Sequence, residues 1–295
     1  MPSTPAASAR RWRLPVLATA AVLVGVAVPG AAAAPAPEAA ASATTATATA
    51  TATASATTAT ATTTVSAYDD TYYAPAIGKT GTSLKSALHS IIRNQTKISY
   101  SAVWTALKET DEDPANSANV RLLYSGTSRS KALSGGDVGD WNREHVWAQS
   151  HGDFGTSAGP GTDLHHLRPA DVKVNSIRGN KDFDMGGSAV SGAPGSYTDS
   201  NSFEPRAADK GDVARMILYM AVRYEGTDGW PDLEPNDAVT NGTVPFHGRL
   251  SVLKQWNEQD PPDAFERNRN ELIYQTYQHN RNPFIDHPEW VEAIW

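Results

Sequence analysis

Apolar residues recur at helical spacing in several parts of this chain. The first such pattern follows Ser83, a residue suited to an N-cap, and places apolar side chains at positions 84, 88, 91 and 92. Similar patterns predict helices over residues 100–108, 212–224 and 263–279. Asp286 and Pro288 predict the cap and the first turn of a last, short helix. Most of the regular structure is therefore expected to be helical.

Short apolar runs bounded by turn-forming residues predict a smaller number of strands. They cover residues 120–124, 141–147 and 163–167. Irregular segments are predicted at residues 151–162, 184–202 and 226–247. Pro169 suits the first turn of a further helix, on which Asp171, Asn175 and Arg178 share one face. The pattern predicts an α+β fold, a mainly helical domain around a small antiparallel sheet, with a ββα unit that holds a metal between its layers.

The first 64 residues have a different composition from the rest. Residues 1–34 combine three arginines, an apolar stretch and an alanine-rich exit, which predicts a secretory signal peptide. Its apolar core is too short for a membrane span. Residues 35–64 consist almost entirely of Ala, Thr and Ser and are predicted to be a disordered linker, because they offer little apolar surface to bury. One folded domain is expected over residues 65–295.

Charge and cysteine content narrow the possible functions. Without the three Arg and one Glu of residues 1–64, the chain holds 22 basic and 31 acidic residues, a net charge of −9. This argues against tight nucleic-acid binding over a broad surface but allows a local basic groove. The chain has no Cys, which excludes disulfides, thiolate metal sites and a cysteine nucleophile.

The stretch from residue 142 to residue 180 brings together the groups needed to cut a phosphodiester with one bound divalent cation. His145 is a candidate general base, because an imidazole titrates near neutral pH. Glu144 and Asn175 offer oxygen ligands for Mg²⁺ or a similar ion. Arg178 is a candidate catalytic residue that would grip a phosphate, although it could equally pair with Asp171 or another acid.

Three further residues of this stretch have weaker claims to a role. His165 or His166 could orient the base through hydrogen bonds, and a purely structural role is equally open for both. Asn180 is a possible supporting residue, but asparagine at such a place is more often a turn residue.

Five sequence runs together resemble the bacterial endonuclease I family, which comprises extracellular and periplasmic nucleases of the ββα-metal or His-Me finger group. They are found at residues 142–145, 163–169, 174–180, 211–215 and 280–289. Each run is short, but their common order along the chain from about residue 84 makes the resemblance specific.

The resemblance implies a nuclease, and the signal peptide predicts that it is secreted and extracellular. We expect a monomer without a membrane anchor in its mature form. His145 would activate the attacking water, and Glu144 and Asn175 would hold a single Mg²⁺, with Mn²⁺ or Ca²⁺ as alternatives. DNA and RNA would be substrates through backbone contacts, with little sequence preference and 5′-phosphate products. One departure is that some relatives carry several disulfides near the site, and this chain has no Cys.

Two other classes of function remain open from the sequence. A secreted zinc-dependent hydrolase would use the several histidines, but His165 and His166 are adjacent and lack the helical spacing of a zinc motif. The protein could also be a non-catalytic surface-binding module on a flexible stalk, but that function does not explain why His145, Glu144 and Asn175 occur together.

Overall fold

The computed structural model describes residues 68–69 and 71–295, so the predicted signal peptide (1–34) and linker (35–64) lie outside the described residues. Eight α-helices are found in the described part of the chain. They are α1 (Gly81–Ile92), α2 (Ala102–Thr110), α3 (Val172–Arg178), α4 (Lys210–Arg223), α5 (Leu250–Gln259), α6 (Ala264–Leu272), α7 (Pro283–Asp286) and α8 (Trp290–Ile294). None of the helices in this part combines the length and apolar character of a membrane span.

The strands form four small sheets. One antiparallel sheet contains β1 (Glu112–Asp113), β2 (Asn116–Arg121) and β3 (Ser128–Ser130), and a second pairs β4 (Trp141–His145) with β5 (Leu167–Asp171). A third has the order β6-β9-β8-β7, formed by β6 (Asp182–Phe183), β7 (Ser188–Ala189), β8 (Tyr197–Thr198) and β9 (Ser202–Glu204). The fourth pairs β10 (Glu234–Pro235) with β11 (Phe246–His247) in parallel. Mixed helices and small sheets confirm the predicted α+β class.

Helix α4 forms the centre of the main core. The sequence predicts an amphipathic helix here, but every residue from Gly211 to Arg223 is buried. Helices α1, α5 and α7 all pack against α4. Its two inner arginines are tolerated because each meets a carboxylate, Arg215 pairing with Glu266 and Arg223 with Asp228. A second apolar cluster, which includes Val103, Leu107, Val120, Trp141 and Leu167, supports the β4–β5 hairpin.

The hairpin and α3 form one continuous unit. In the β4–β5 pair, Trp141 lies opposite Asp171 and His145 opposite Leu167. Asp171 ends β5 and caps α3, because its carboxylate accepts hydrogen bonds from the backbone N–H groups of Lys173 and Val174 at 2.9 and 3.1 Å. The helix ends at Gly179, whose φ of 59° is a conformation that glycine adopts without strain.

Three predicted elements beside the cleft between β4 and α3 were placed wrongly. The strand predicted at residues 163–167 lies instead at 167–171, because residues 163–166 form a turn in which Asp163 Oδ1 accepts from the His165 backbone N–H. Pro169 consequently belongs to β5 and not to the helix, which starts at Val172. The strand predicted at residues 120–124 ends at Arg121, and Leu123 forms only an isolated bridge to Ala170.

Element ends elsewhere also differ from the sequence prediction. Helix α1 starts at Gly81 after Thr80, not at Ser83, and α6 gives way at Ile273 to a π-helical turn. Glu289, not Asp286, precedes the last helix, because Asp286 ends α7 and binds Arg281. Helix α5 has no counterpart among the predicted elements.

A C-terminal segment, residues 269–280, is hydrogen-bonded to the turn that leads into β5. Arg269 donates to the carbonyls of Leu164 and Leu167, each at 2.7 Å. The side-chain oxygen of Gln278 accepts from the Leu164 backbone N–H, and Asn280 contacts His165. The β4–β5 hairpin is therefore supported by a part of the chain more than a hundred residues away.

Candidate active site

A cleft of about 340 Å³ opens between the end of β4 and the end of α3. Strand β4 and the segment after it contribute one wall, and α3 and the two residues after it contribute the other. Its lining residues are Arg143, Glu144, His145, Ala148, Gln149, Ser150, Asn175, Arg178, Gly179 and Asn180. The four residues predicted from the sequence as catalytic or metal-binding are among them.

Glu144 is a buried carboxylate with two strong donors on the same oxygen. The Tyr124 hydroxyl donates to Oε1 at 2.7 Å, and the Arg178 Nη1 lies 3.1 Å from that atom. Burial raises the pKa of Glu144, and the Arg178 charge and the Tyr124 hydroxyl partly offset this rise. Because both side-chain donors contact Oε1, Oε2 keeps the capacity to bind a cation.

His145 is held in one tautomer by the backbone. Its Nε2 lies 3.1 Å from the carbonyl oxygen of Gly161, so Nε2 carries the proton and donates. The lone pair is then on Nδ1, and the Gln149 side-chain nitrogen lies 3.0 Å from each of the two ring nitrogens. Burial lowers the pKa of His145 to about 3, and repulsion from His166 adds to this effect. The imidazole is therefore neutral at neutral pH and can accept a proton.

Asn175 presents its side-chain oxygen from α3. Its Nδ2 donates to Oδ1 of Asn142 at 2.7 Å, which fixes the orientation of the amide. Asn175 and Glu144 line the same cleft, and each has one side-chain oxygen that accepts no hydrogen bond from a neighbouring side chain. Two hard oxygen donors with room for water fit Mg²⁺ or Ca²⁺ better than a metal that prefers nitrogen or sulfur ligands.

Arg178 lines the cleft but is only 1% exposed. Its Nη1 donates to the His145 carbonyl at 2.8 Å, and its Nη2 donates to the Val146 carbonyl. With the ion pair to Glu144, most of its donors are engaged within the protein. Of the two roles open from the sequence, the geometry favours the ion pair with an acid, and that acid is Glu144 and not Asp171, which binds Arg129.

The remaining predicted residues divide between the cleft and the interior. Asn180 lines the cleft and donates to the Ser150 hydroxyl at 3.3 Å. His166 is buried behind the base, with its ring centre 5.5 Å from that of His145 and its Nε2 2.7 Å from the Pro160 carbonyl. His165 contacts Asn280 and does not line the cleft.

A second group of possible metal ligands lies beneath the cleft. Single donor atoms of His151, Asp182 and His247, all buried, lie within 4.8 Å of one another. The hydrogen bonds argue against metal binding here. Arg178 Nη2 lies 3.2 Å from His247 Nε2 and can only donate, which leaves the proton of His247 on Nδ1, the atom that faces Asp182. The two ring nitrogens of His151 lie 2.6 Å from the Phe246 carbonyl oxygen and 2.8 Å from the Asn180 carbonyl oxygen, so both already have hydrogen-bond partners within the protein.

Sequence reasoning missed several residues that build this site. Tyr124 and His247 lie in segments distant along the chain, and no spacing rule links them to Glu144 or Arg178. Gln149 could have been found, because it is four residues after the base and just beyond the end of β4. Arg143 belongs to the sequence run at residues 142–145, but it was assigned no role from the sequence.

Comparison with known proteins agrees with this geometry. A family model described as Endonuclease I matches residues 80–289. An extracellular ribonuclease of Bacillus subtilis (strain 168) is 70% identical over 226 residues, which cover 77% of this chain and 78% of that protein. An extracellular ribonuclease of Bacillus amyloliquefaciens is 68% identical over 230 residues, covering 78% and 80%. The resemblance found in the five sequence runs is thus confirmed, and the chain belongs to the endonuclease I family of nucleases.

Proposed function

We propose that this nuclease is a secreted, metal-dependent endonuclease that hydrolyses RNA and DNA with little sequence specificity and leaves 5′-phosphates. The convergence of Glu144, His145 and Asn175 on one cleft carries the proposal. The names of the two Bacillus relatives support RNA as a substrate and an extracellular location. We take residues 65–295 to be the catalytic domain and its active form to be a monomer, preceded by a signal peptide (1–34) and a linker (35–64).

Glu144 and Asn175 would hold one divalent cation, Mg²⁺ in the first instance, between β4 and α3. A bound cation would supply charge neutralisation at the scissile phosphate and at the departing 3′-oxygen. Tyr124 and Arg178 keep the Glu144 carboxylate ionised and in one orientation, and Asn142 does the same for the Asn175 amide. These three contacts prepare the two ligands before any ion binds. We thus propose ββα-metal chemistry for this unit.

His145 would remove the proton from the attacking water through Nδ1. The Gly161 carbonyl holds the opposite nitrogen protonated, so the lone pair is on Nδ1. An anionic phosphate near the ring raises the pKa of the imidazole from its low value and so strengthens the base when the substrate is bound. His166 and His165 keep the turn behind the base in place, and Asn180 lines the cleft beside the ligands.

Arg178 would act on the reaction mainly through Glu144. Because its charge lies 3.1 Å from the carboxylate, it keeps this ligand ionised despite its burial. It also adds a positive charge to the wall of the cleft, which favours the build-up of negative charge on the phosphate in the transition state.

The test of this function is digestion of total RNA and of supercoiled plasmid by the purified full-length protein, with Mg²⁺ and with chelator. We expect cutting that needs the metal and falls by about 10²–10⁴-fold in His145→Ala. His279→Asn is a matched control, because His279 is exposed and lies at a positive φ of 59° that Asn tolerates. Full activity of His145→Ala would refute the assignment of the base. Absence of metal-dependent cutting by the folded wild-type protein would return the zinc-hydrolase and binding-module alternatives to consideration.

A further inference from the structure

Arg143 is held on the wall of the catalytic cleft by two aromatic rings. Its guanidinium carbon lies 3.4 Å from the ring centre of Tyr100 and 4.1 Å from that of Trp104. Its Nη1 also donates to the Tyr100 carbonyl at 2.6 Å. Stacking on both rings limits the rotamers of a side chain that is otherwise flexible. The charge is thus fixed before any ligand arrives.

Arg143 differs from the deeply buried arginines of this protein in having no acid partner. Six arginines with side chains at most 4% exposed each have a carboxylate within 4.0 Å: Arg168, Arg178, Arg215, Arg223, Arg269 and Arg281. Arg143 is half-buried, and no carboxylate of the described residues lies within that distance of it. Its Nε is buried without a hydrogen-bond partner. A partly desolvated cation left unpaired costs free energy, which an anionic ligand would recover.

Arg143 lies close to His145, the proposed base. Arg143 and His145 are two residues apart in β4, so their side chains leave the same face of the strand, about 7 Å apart at their Cα atoms. The Tyr100 ring, which carries the guanidinium, has its centre 5.9 Å from the His145 ring. Glu144, which lies between them in the strand, is contacted by Tyr124 and Arg178.

We propose that Arg143, held between Tyr100 and Trp104, binds a backbone phosphate that neighbours the scissile one. The inference rests on the proposed nuclease function and adds a requirement on the substrate. The enzyme would prefer a polynucleotide strand over an isolated phosphodiester. The reason is that the flanking phosphate would pair with the Arg143 guanidinium, which has no carboxylate partner among the described residues. The guanidinium fork suits two phosphate oxygens and carries no base preference.

The first experiment compares a dinucleotide that has one phosphodiester with a trinucleotide that adds a second. In wild type, with Mg²⁺, the added phosphate should raise kcat/KM about tenfold, as expected for one charge-assisted contact. Arg143→Met should lose this gain, so that its kcat/KM is about the same for the two substrates. Arg93→Met, an exposed arginine after α1, should keep the gain.

The second experiment measures binding of a fluorescein-labelled oligouridylate to the full-length protein in chelator, where no cutting occurs. Arg143→Met should weaken binding and reduce the slope of log K against log salt by about 0.7, the value for one phosphate contact on a single strand. This result is independent of catalysis. A wild-type protein that binds the strand but does not cut it with Mg²⁺ would refute the nuclease proposal alone.

Two outcomes would overturn the inference. One is an unchanged slope of log K against log salt in Arg143→Met, which would mean that the stacked arginine only stabilises the packing of α2 against β4. The other is a wild-type enzyme with no preference for the trinucleotide. If Arg143→Met does not fold, Arg143→Lys replaces it, because lysine keeps the charge but not the guanidinium fork. The ratio of kcat/KM for the trinucleotide to that for the dinucleotide should then be smaller than in wild type but still above one.

Discussion

Replacement of Arg178 by Met tests whether this residue is a structural partner of Glu144 or a surface contact for phosphate. The Arg178 and Glu144 side chains are 1% and 2% exposed, and their charged atoms lie 3.1 Å apart. Removing one member of a buried ion pair leaves the other charge uncompensated, which costs about 3–5 kcal/mol. The carbonyls of His145 and Val146 would each lose a donor as well. We expect a loss of unfolding free energy of at least 3 kcal/mol.

The pH dependence of this loss identifies its cause. The pKa of Glu144 is already raised in the folded protein, and loss of the Arg178 charge would raise it further. A carboxyl with a raised folded pKa binds more protons folded than unfolded, so stability falls as pH rises from its unfolded value through the folded pKa. The difference between wild type and Arg178→Met should therefore be smallest near pH 4, where only the lost carbonyl donors contribute, and grow towards neutral pH.

Urea unfolding followed by tryptophan fluorescence measures both quantities, since seven of the eight Trp lie after residue 65. Arg129→Met is a suitable control, because Arg129 pairs with Asp171 at a partly exposed site and should cost far less. A loss below about 0.5 kcal/mol, with no dependence on pH, is the behaviour of a surface residue and would refute the reasoning.

Two further predictions concern the metal and the buried histidines. Asn175→Ala should raise the Mg²⁺ concentration needed for half-maximal cutting by about 10–100-fold, as measured by titration of activity, and an unchanged requirement would show that the ligand set is wrong. Burial lowers the pKa of His165 to about 4, against the attraction of Asp163, so this imidazole stabilises the folded protein less as pH falls from about 6.5 to about 4. The stability difference between wild type and His165→Gln should shrink across that window by up to about 3 kcal/mol. A constant difference in urea unfolding would contradict this prediction.

The sequence predicted the parts of the site whose residues are close together along the chain. Glu144 and His145 end a strand, and Asn175 and Arg178 are three apart on a short helix, so periodicity and residue chemistry were enough to place them on one unit. Apolar periodicity likewise located α4. The resemblance in motif order then added the family.

The sequence predictions that were wrong concern features that depend on contacts between distant segments. The register of β5 was missed by four residues, because Leu164 and Leu167 are apolar in either register and the turn is fixed by Asp163, whose Oδ2 accepts from Tyr219 and Tyr224. The sequence predicts an amphipathic helix α4, because arginines are normally exposed. Only the structure shows that these arginines are buried beside carboxylates of other segments. Tyr124 is an ordinary strand residue by sequence, and only the fold brings its hydroxyl to Glu144.

The dependence of the β5 turn on residues 269–280 has a consequence for the timing of activity. Leu164, His165 and Leu167 are tied to this late segment by backbone and side-chain hydrogen bonds. During synthesis, the hairpin that carries the base emerges long before these partners do. We therefore expect nascent chains to lack a formed catalytic centre until nearly all of the domain has been made. If the protein cleaves RNA as proposed, a producing cell would thereby be spared premature cleavage of its own transcripts.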